Sequence, residues 1–109
     1  MNNLSYNVGY KEYSINGDES RILRISTSDM NIITRMDKAE KELQKIADKC
    51  KSTTADNAIE TLFYLDNEVR KQINYVFDGD VSDIIFGNTN CISIAGGKPI
   101  FENFLEAVL

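Results

Sequence analysis

Four oxygen-bearing side chains that could hold a metal ion lie close together, at Asp78, Asp80, Ser82 and Asp83. Oxygen ligands at alternate positions suit calcium, but an EF-hand loop also needs glycine at its sixth position and a carboxylate at its twelfth. Counted from Asp78, those positions hold Asp83 and Thr89. The pattern therefore favours a different interpretation, a short capped helix whose acidic residues lie at the positive end of the helix dipole.

The side chains that most often perform catalysis are scarce. The chain contains no histidine, which removes the commonest general base, the usual catalytic triad and most zinc sites. Cys50 lies on an apolar helical stripe and Cys91 has no histidine to activate it, although a neighbouring lysine could. Residues 96–98, Gly-Gly-Lys, lack the spacing of a phosphate-binding loop, and Glu102 and Glu106 resemble an ordinary solvated helical pair. The sequence predicts no enzyme, with no catalytic, cofactor-binding or metal-binding residue.

Length and charge narrow the class of partner. The 109 residues are predicted to form a single domain, residues 1–109, with a net charge of −5. An acidic chain repels a phosphate backbone, so no nucleic-acid partner is expected. No apolar run approaches the roughly 20 residues that span a bilayer, and the first residues do not resemble a signal peptide. We therefore expect no membrane association, a cytoplasmic location and free, buried thiols at Cys50 and Cys91.

The N-terminal quarter predicts a β-hairpin. Residues 1–9 are mostly polar and are expected to form a flexible arm. Residues 10–26 contain two β-favouring runs joined by Asn16, Gly17 and Asp18, which tolerate the positive φ angles of a tight turn. An isolated hairpin is marginally stable in water, so this one must pack on the rest of the chain or pair with another chain.

Two amphipathic helices over residues 29–76 follow, joined by a short polar connection. The first, about residues 29–51, begins after the capping residues Ser26 to Asp29; the second, about residues 55–76, begins at a possible capping box formed by Thr53 and Asp56. Their short connection predicts an antiparallel helical hairpin. The apolar stripe of the first helix contains Ile32, Met36, Ala39, Leu43, Ile46 and Cys50. That of the second contains Ile59, Leu62, Leu65, Val69, Ile73 and Val76, widened by Phe63.

Short elements are predicted for residues 77–109, where four glycines interrupt the chain. They are a helix over residues 80–86, a turn at residues 88–90, a short strand or an extended linker at residues 91–94, and a last helix that begins near Pro99. We interpret residues 77–87 as a hinge that places this last helix against the helical hairpin. The predicted fold class is mainly α (α+β), with an N-terminal β-hairpin, a long antiparallel helical hairpin and short C-terminal helices.

Apolar side chains of these short elements are expected to be buried. The short helix should direct Val81, Ile84, Ile85 and Phe86 towards the core or a partner. The last helix should bury Ile100, Phe101, Phe104, Leu105 and Val108.

Aromatic side chains are the candidates for contact with a partner, because aromatic residues anchor interfaces well. The alternative is that they fill a small core, and this alternative is stronger for the phenylalanines than for the tyrosines. The candidates are Tyr10, Tyr13, Phe77, Phe86, Phe101 and Phe104.

The order of these motifs resembles a known family. Ile-Asn-Gly-Asp at residues 15–18 lies in the predicted β-hairpin, and a charged helical hairpin follows it. After the helical hairpin come three further motifs: Val-Phe-Asp-Gly at residues 76–79, Ile-Phe-Gly at residues 85–87 and Gly-Lys-Pro-Ile-Phe-Glu-Asn-Phe-Leu-Glu-Ala at residues 97–107. Over residues 10–109 the chain resembles small tail proteins of siphophages and prophages of Gram-positive bacteria, most closely the tail assembly chaperones.

That resemblance carries functional expectations. It implies a mainly helical homo-oligomer without cofactor or catalytic residues. Such a protein binds the tape-measure protein in the host cytoplasm, keeps it soluble and helps to recruit tail-tube subunits. A longer form produced by frameshifting, present in some members, is not visible. A structural tail or connector subunit of the virion therefore stays open as the alternative.

Overall fold

The computed structural model describes residues 1–51 and 58–108, except for the side chains of residues 50 and 51. It contains a β-hairpin, two long helices and a C-terminal segment of short elements, in that order. The predicted fold class, mainly α with an N-terminal β-hairpin, is confirmed. The proposed capping box at residues 53–56 and the predicted start of the second helix at residue 55 lie outside the described residues.

The hairpin consists of β1 (Tyr10–Ile15) and β2 (Asp18–Ser26), which pair antiparallel. Between them, Asn16 and Gly17 adopt φ angles of 50° and 78°, as a two-residue hairpin turn requires. Tyr13 lies opposite Leu23, and opposite residues of an antiparallel pair project from the same face. This face packs onto the helices, and Leu23 and Ile25 are buried there.

A bulge that the sequence analysis did not predict interrupts β2. Ile15 pairs with Asp18 but Ser14 pairs with Ile22, so residues 19–21 have no opposite residue in β1. The Asp18 carboxylate holds the bulge by accepting hydrogen bonds from the backbone N–H of Ser20 at 3.0 Å and its hydroxyl at 2.6 Å. These bonds lower the pKa of the Asp18 carboxyl. Bulges redirect side chains, and here residue 21 turns towards the C-terminal segment.

Two helices, α1 (Met30–Lys51) and α2 (Ala58–Phe77), pack against each other. Arg35, near the start of α1, donates to the carbonyl of Val76 at 2.9 Å, and the Lys49 ammonium lies 5.5 Å from the centre of the Tyr64 ring. Contacts between the start of one helix and the end of the other make the pair antiparallel, as predicted. The core of the pair contains Ile32, Ala39, Leu43 and Ile46 of α1 and Leu65, Val69, Ile73 and Val76 of α2.

The start of α1 follows the capping prediction to within one residue. Asp29 lies just before the helix, and its carboxylate accepts the backbone N–H of Asn31 at 2.9 Å. This is the bond by which an N-cap side chain satisfies one of the unpaired N–H groups of a helix start.

The stripe predicted for the second helix is wrong at its N-terminal end. Ile59, Leu62 and Phe63 are 73%, 43% and 67% exposed. Near this part of α2, α1 carries Asp48 and Lys49, which are charged and exposed, and the Lys49 ammonium lies by the Tyr64 ring. Periodicity identifies a helical face, but burial also needs an apolar surface opposite that face.

Four short elements make up the C-terminal segment: α3 (Ser82–Phe86), β3 (Ile94–Ala95), β4 (Lys98–Pro99) and α4 (Ile100–Val108). β3 and β4 pair antiparallel through a turn at Gly96 and Gly97. The observed strand therefore begins at the last residue of the predicted 91–94 strand or linker, and α3 begins two residues after the predicted start.

The last helix covers one end of the core. Phe101 is buried, whereas Phe104 is half-buried and its ring meets the rings of Phe77 and Phe86 edge-on, each at 5.9 Å between centres. Ile85 and Phe86 of α3 are also buried. The other apolar residues predicted to be buried in these elements are half-buried, and all but Ile84 pack against the core: Val81, Ile84, Ile100, Leu105 and Val108.

Replacing a core residue of α2 tests this packing. Ile73 has no exposed surface, so Ile73→Ala should lower the free energy of unfolding by about 2–5 kcal/mol through lost burial and a residual cavity. Ile33 on α1 is 61% exposed, and Ile33→Ala should change it by less than about 0.5 kcal/mol. Urea unfolding measures both, and equal losses in the two variants would contradict the assigned core.

Candidate functional site

An open cavity of about 560 Å³ lies between the β-hairpin and α4, and we call it the groove. Side chains from β1, β2, α3 and α4 line it, so its shape depends on how the hairpin and the C-terminal segment are held together. Most of the lining is apolar. The main apolar lining residues are Tyr13, Ile15, Leu23, Ile85, Phe86 and Phe104.

Arg21, in the β2 bulge, joins the hairpin to the floor of the groove. Its Nε donates to the carbonyl of Ile84 at 2.9 Å, and a terminal nitrogen donates to the carbonyl of Ile85. These carbonyls belong to the last turn of α3, where backbone oxygens lack helical partners and a positive charge is favoured by the helix dipole. Arg21 therefore holds β2 against α3. Although Arg21 lines the groove, its Nε and one terminal nitrogen already donate hydrogen bonds to α3.

Arg70 of α2 fixes the other side of α3. Its guanidinium donates to four acceptors: the Asp66 carboxylate at 3.1 Å, the Asp83 carboxylate at 2.8 Å, and the carbonyls of Gly87 and Thr89 at 2.9 and 2.8 Å. The Arg70 side chain is only 14% exposed. A planar guanidinium can satisfy several acceptors in one fixed geometry, which a lysine cannot. Arg70 thereby anchors α3 and the following turn to α2.

Asp66 extends this anchor to residue 91. One carboxylate oxygen binds Arg70, and the other accepts the backbone N–H of Cys91 at 2.8 Å, while the Cys91 thiol lies 3.7 Å from the Asp66 carbonyl. Burial, and then the hydrogen bond to Asp66, raise the pKa of the Cys91 thiol far above its usual value. The thiolate is the reactive form of cysteine, so Cys91 is a packing residue. The expectation of a free, buried thiol is confirmed at this position.

The start of α3 is capped from another helix. The side-chain oxygen of Asn74 on α2 accepts the backbone N–H groups of Val81 and Ser82 at 2.9 and 2.8 Å. The sequence predicts a capped start with acidic residues at its positive end; Asp83 lies in the first turn, but the cap comes from Asn74. Among the described residues, no group of histidine, cysteine, aspartate or glutamate could hold a metal ion.

Three of the six predicted partner-contact residues lie together. Tyr13, Phe86 and Phe104 line the groove, with Tyr13 38% exposed, Phe104 half-buried and Phe86 buried. Tyr10 lies elsewhere on the hairpin, 50% exposed, with the Arg24 guanidinium 4.1 Å from the centre of its ring.

The other two, Phe77 and Phe101, are core residues. They are 8% and 2% exposed and do not line the groove. The alternative left open by the sequence, that phenylalanines fill a small core, describes them correctly. Aromatic type alone does not distinguish a side chain that fills the core from one that lines a contact surface.

Sequence reasoning missed the polar residues that shape the site, namely Arg21, Asp66, Arg70 and Asn74. One signal was present, because Asp66 and Arg70 form an i, i+4 pair of opposite charge on the more apolar of the two long helices. The acceptors of Arg21 lie more than 60 residues away in sequence, and nothing in its spacing indicates them. The donors to Asn74 are only seven and eight residues away, but they belong to another helix start that the chain reaches through a turn.

Replacing Arg70 tests the anchor. Arg70→Lys should lower the free energy of unfolding by about 2–4 kcal/mol, because one ammonium cannot satisfy four acceptors, of which the Asp66 carboxylate and the Gly87 carbonyl are part-buried. The neighbouring Lys71 is an exposed partner of Glu68, so Lys71→Gln should cost less than about 1 kcal/mol. Hydrogen exchange at the Cys91 amide should accelerate in Arg70→Lys only. Unchanged exchange there would contradict the anchoring role.

The protonation of Cys91 gives a chemical test. Because its pKa is raised, the thiol stays protonated at mildly alkaline pH, where an ordinary cysteine is partly thiolate. Iodoacetamide at such a pH should leave the Cys91 peptide unmodified in the folded protein and modify it after unfolding in urea, as read by peptide mass spectrometry. Rapid modification of Cys91 in the folded protein would show that the thiol is accessible.

Comparison with known proteins identifies no relative of this chain. The chain matches no family model, no curated protein and no solved structure. In the described part of the chain, no helix is both long and apolar enough to cross a membrane.

Proposed function

We propose that this protein is a binding protein without enzymatic activity, which holds an apolar segment of a client protein in the groove between the β-hairpin and α4. The observation that carries the proposal is the groove itself, about 560 Å³ in volume and lined mainly by apolar side chains. That volume falls within the roughly 300–1,000 Å³ of typical ligand sites.

The chemistry of the lining favours an uncharged, apolar occupant. Among the described residues of the lining, Arg21 alone is charged, and it already donates to the carbonyls of Ile84 and Ile85. A charged ligand would lose its water without gaining an ion-pair partner of its own, which is costly. Apolar side chains gain stability on burial, and Ser14, Asn16 and Asn103 at the groove supply polar groups for the backbone of the client.

The motif resemblance suggests which client this is. Residues 77–87 contribute most to the resemblance to phage tail assembly chaperones, and two of these residues, Ile85 and Phe86, form part of the groove floor. We propose the tape-measure protein as the client, bound in the cytoplasm of the bacterial host, with tail-tube subunits recruited afterwards. The protein would act as a homo-oligomer, without a cofactor and without nucleic-acid or membrane partners.

A second candidate function is a structural tail or connector subunit, and a second apolar surface favours it. Ile59, Leu62, Phe63 and Tyr64 at the start of α2 are all exposed, away from the groove. A subunit that sits between two neighbours needs two such surfaces. Mass spectrometry of purified virions separates the candidates, because a structural subunit is present at stoichiometric copy number and an assembly chaperone is absent.

A charge placed in the groove wall tests the proposed binding. Ala107 is exposed and lines the groove near the C-terminal end of α4, where the helix dipole favours a positive charge. Ala107→Lys should keep the fold and weaken the binding of tape-measure segments at least about tenfold, equivalent to about 1.4 kcal/mol, because the ammonium must lose its water. Titration calorimetry measures the affinity.

The control carries the same charge on another surface. Ile33 on α1 is 61% exposed and does not line the groove, so Ile33→Lys should bind as the wild type does. Equal affinity of Ala107→Lys and the wild type would place the client elsewhere. No co-purification with the tape-measure protein at micromolar concentration would reject this client.

A further inference from the structure

The arm, residues 1–9, is mostly polar, but its apolar residues alternate as they do in a β-strand. Leu4, Tyr6 and Val8 alternate with Ser5 and Asn7, and the three apolar side chains are 89%, 80% and 47% exposed. Alternation with a period of two is typical of a strand that buries one face. In the described structure the arm belongs to no strand, and the sheet of the hairpin contains β1 and β2 only.

The arm also differs from the rest of the chain in charge. Residues 2–10 contain no charged side chain, whereas 27% of the whole chain is charged. An uncharged segment with alternating apolar residues matches the groove, whose lining is apolar and whose one charged residue already binds backbone carbonyls. The arm therefore has the composition that the groove favours.

The groove offers a strand edge as well as an apolar floor. Consecutive residues of β1, Tyr13, Ser14 and Ile15, all line it. Neighbouring residues of a strand project from opposite faces, so the groove runs along the backbone edge of β1. That edge has no strand partner in the described part of the chain, and an unpaired edge can pair with another strand.

The arm is directed away from the groove of its own chain. It leaves the hairpin at the end where Tyr10 pairs with Ser26, whereas the groove lies towards the turn at Asn16. The Val8 carbonyl accepts the Ser26 hydroxyl at 2.8 Å, which fixes the exit of the arm. Gly9 passes so close to Ser28 that a β-carbon would lie 2.0 Å from its hydroxyl oxygen. Folding back along its own β1 would break the Tyr10–Ser26 pairing.

We propose that residues 4–8 of one copy of this chain add as a strand to the β1 edge of a second copy and place Leu4, Tyr6 and Val8 in its groove. Five extended residues span about 17 Å and the six residues of β1 span about 20 Å, so the lengths match. If both copies exchange arms, the result is a closed dimer with two-fold symmetry. The arm and the proposed client then compete for the groove; only this competition rests on the proposed function.

The first test compares two double variants of the arm. Leu4→Asp with Tyr6→Asp places charge on the apolar face, and Asn3→Asp with Ser5→Asp places the same charge on the other face. Sedimentation of the wild type at micromolar and higher concentrations should show a dimer. Its dissociation constant should rise at least about tenfold in the first variant and change less than about twofold in the second. A monomer at all concentrations, or equal weakening in the two variants, would overturn the proposal.

The second test locates the arm. In an equal mixture of isotope-labelled and unlabelled wild-type protein, intermolecular NOEs should connect the methyl groups of Leu4 and Val8 with those of Ile15 and Ile85. A dimer whose intermolecular NOEs arise from Ile59 and Leu62 instead would overturn the arm exchange. Client binding is read separately: the Leu4→Asp/Tyr6→Asp variant should bind tape-measure segments at least as tightly as the wild type. If neither the wild type nor the arm variant binds tape-measure segments while the wild type still dimerises through the arm, the proposed function is rejected and the arm exchange stands.

Discussion

The hydrogen bonds of Arg70 are the interaction on which the rest of the structure depends. The chain after α2 consists of turns and short elements, whose carbonyl groups have few partners in regular secondary structure. Arg70 satisfies those of Gly87 and Thr89 and at the same time pairs with Asp66 and Asp83. This fixes α3 on α2, and α3 in turn forms the floor of the groove and supports α4.

Two other arginines use the same chemistry at other helix ends. Arg35 donates to the carbonyl of Val76 near the end of α2, and Arg21 donates to the carbonyl of Ile84 in α3. A helix C-terminus presents unpaired carbonyls and the negative end of a dipole, so a guanidinium is well suited to it. These bonds join the hairpin, the long helices and the C-terminal segment, and they fix the elements that line the groove.

The sequence predicted what depends on neighbouring residues and missed what depends on distant ones. Asn16 and Gly17 determine the hairpin turn locally, and the apolar period of α1 and α2 determines their facing surfaces. Ile59 is exposed although it lies on the apolar stripe of α2. Its exposure depends on what lies opposite it in the fold, and the apolar period of α2 gives no information about that. The cap of α3 comes from Asn74 on α2, not from the residue directly before the helix, where a cap is normally sought. Of the predicted partner-contact residues, Tyr13, Phe86 and Phe104 line the groove, and their contact with a partner stays a prediction. The position of Arg21 depends on the bulge and on carbonyls of α3 more than 60 residues away, so the residues around Arg21 do not indicate it.

Whether the groove receives an apolar segment is tested most directly by a methyl-group NMR titration with tape-measure segments. We expect chemical-shift changes concentrated on the methyl groups of Leu23, Ile85 and Ile100, which line the groove, with little change at Ile33 on α1. Changes concentrated on Ile59 and Leu62, or no changes at saturating client, would contradict it.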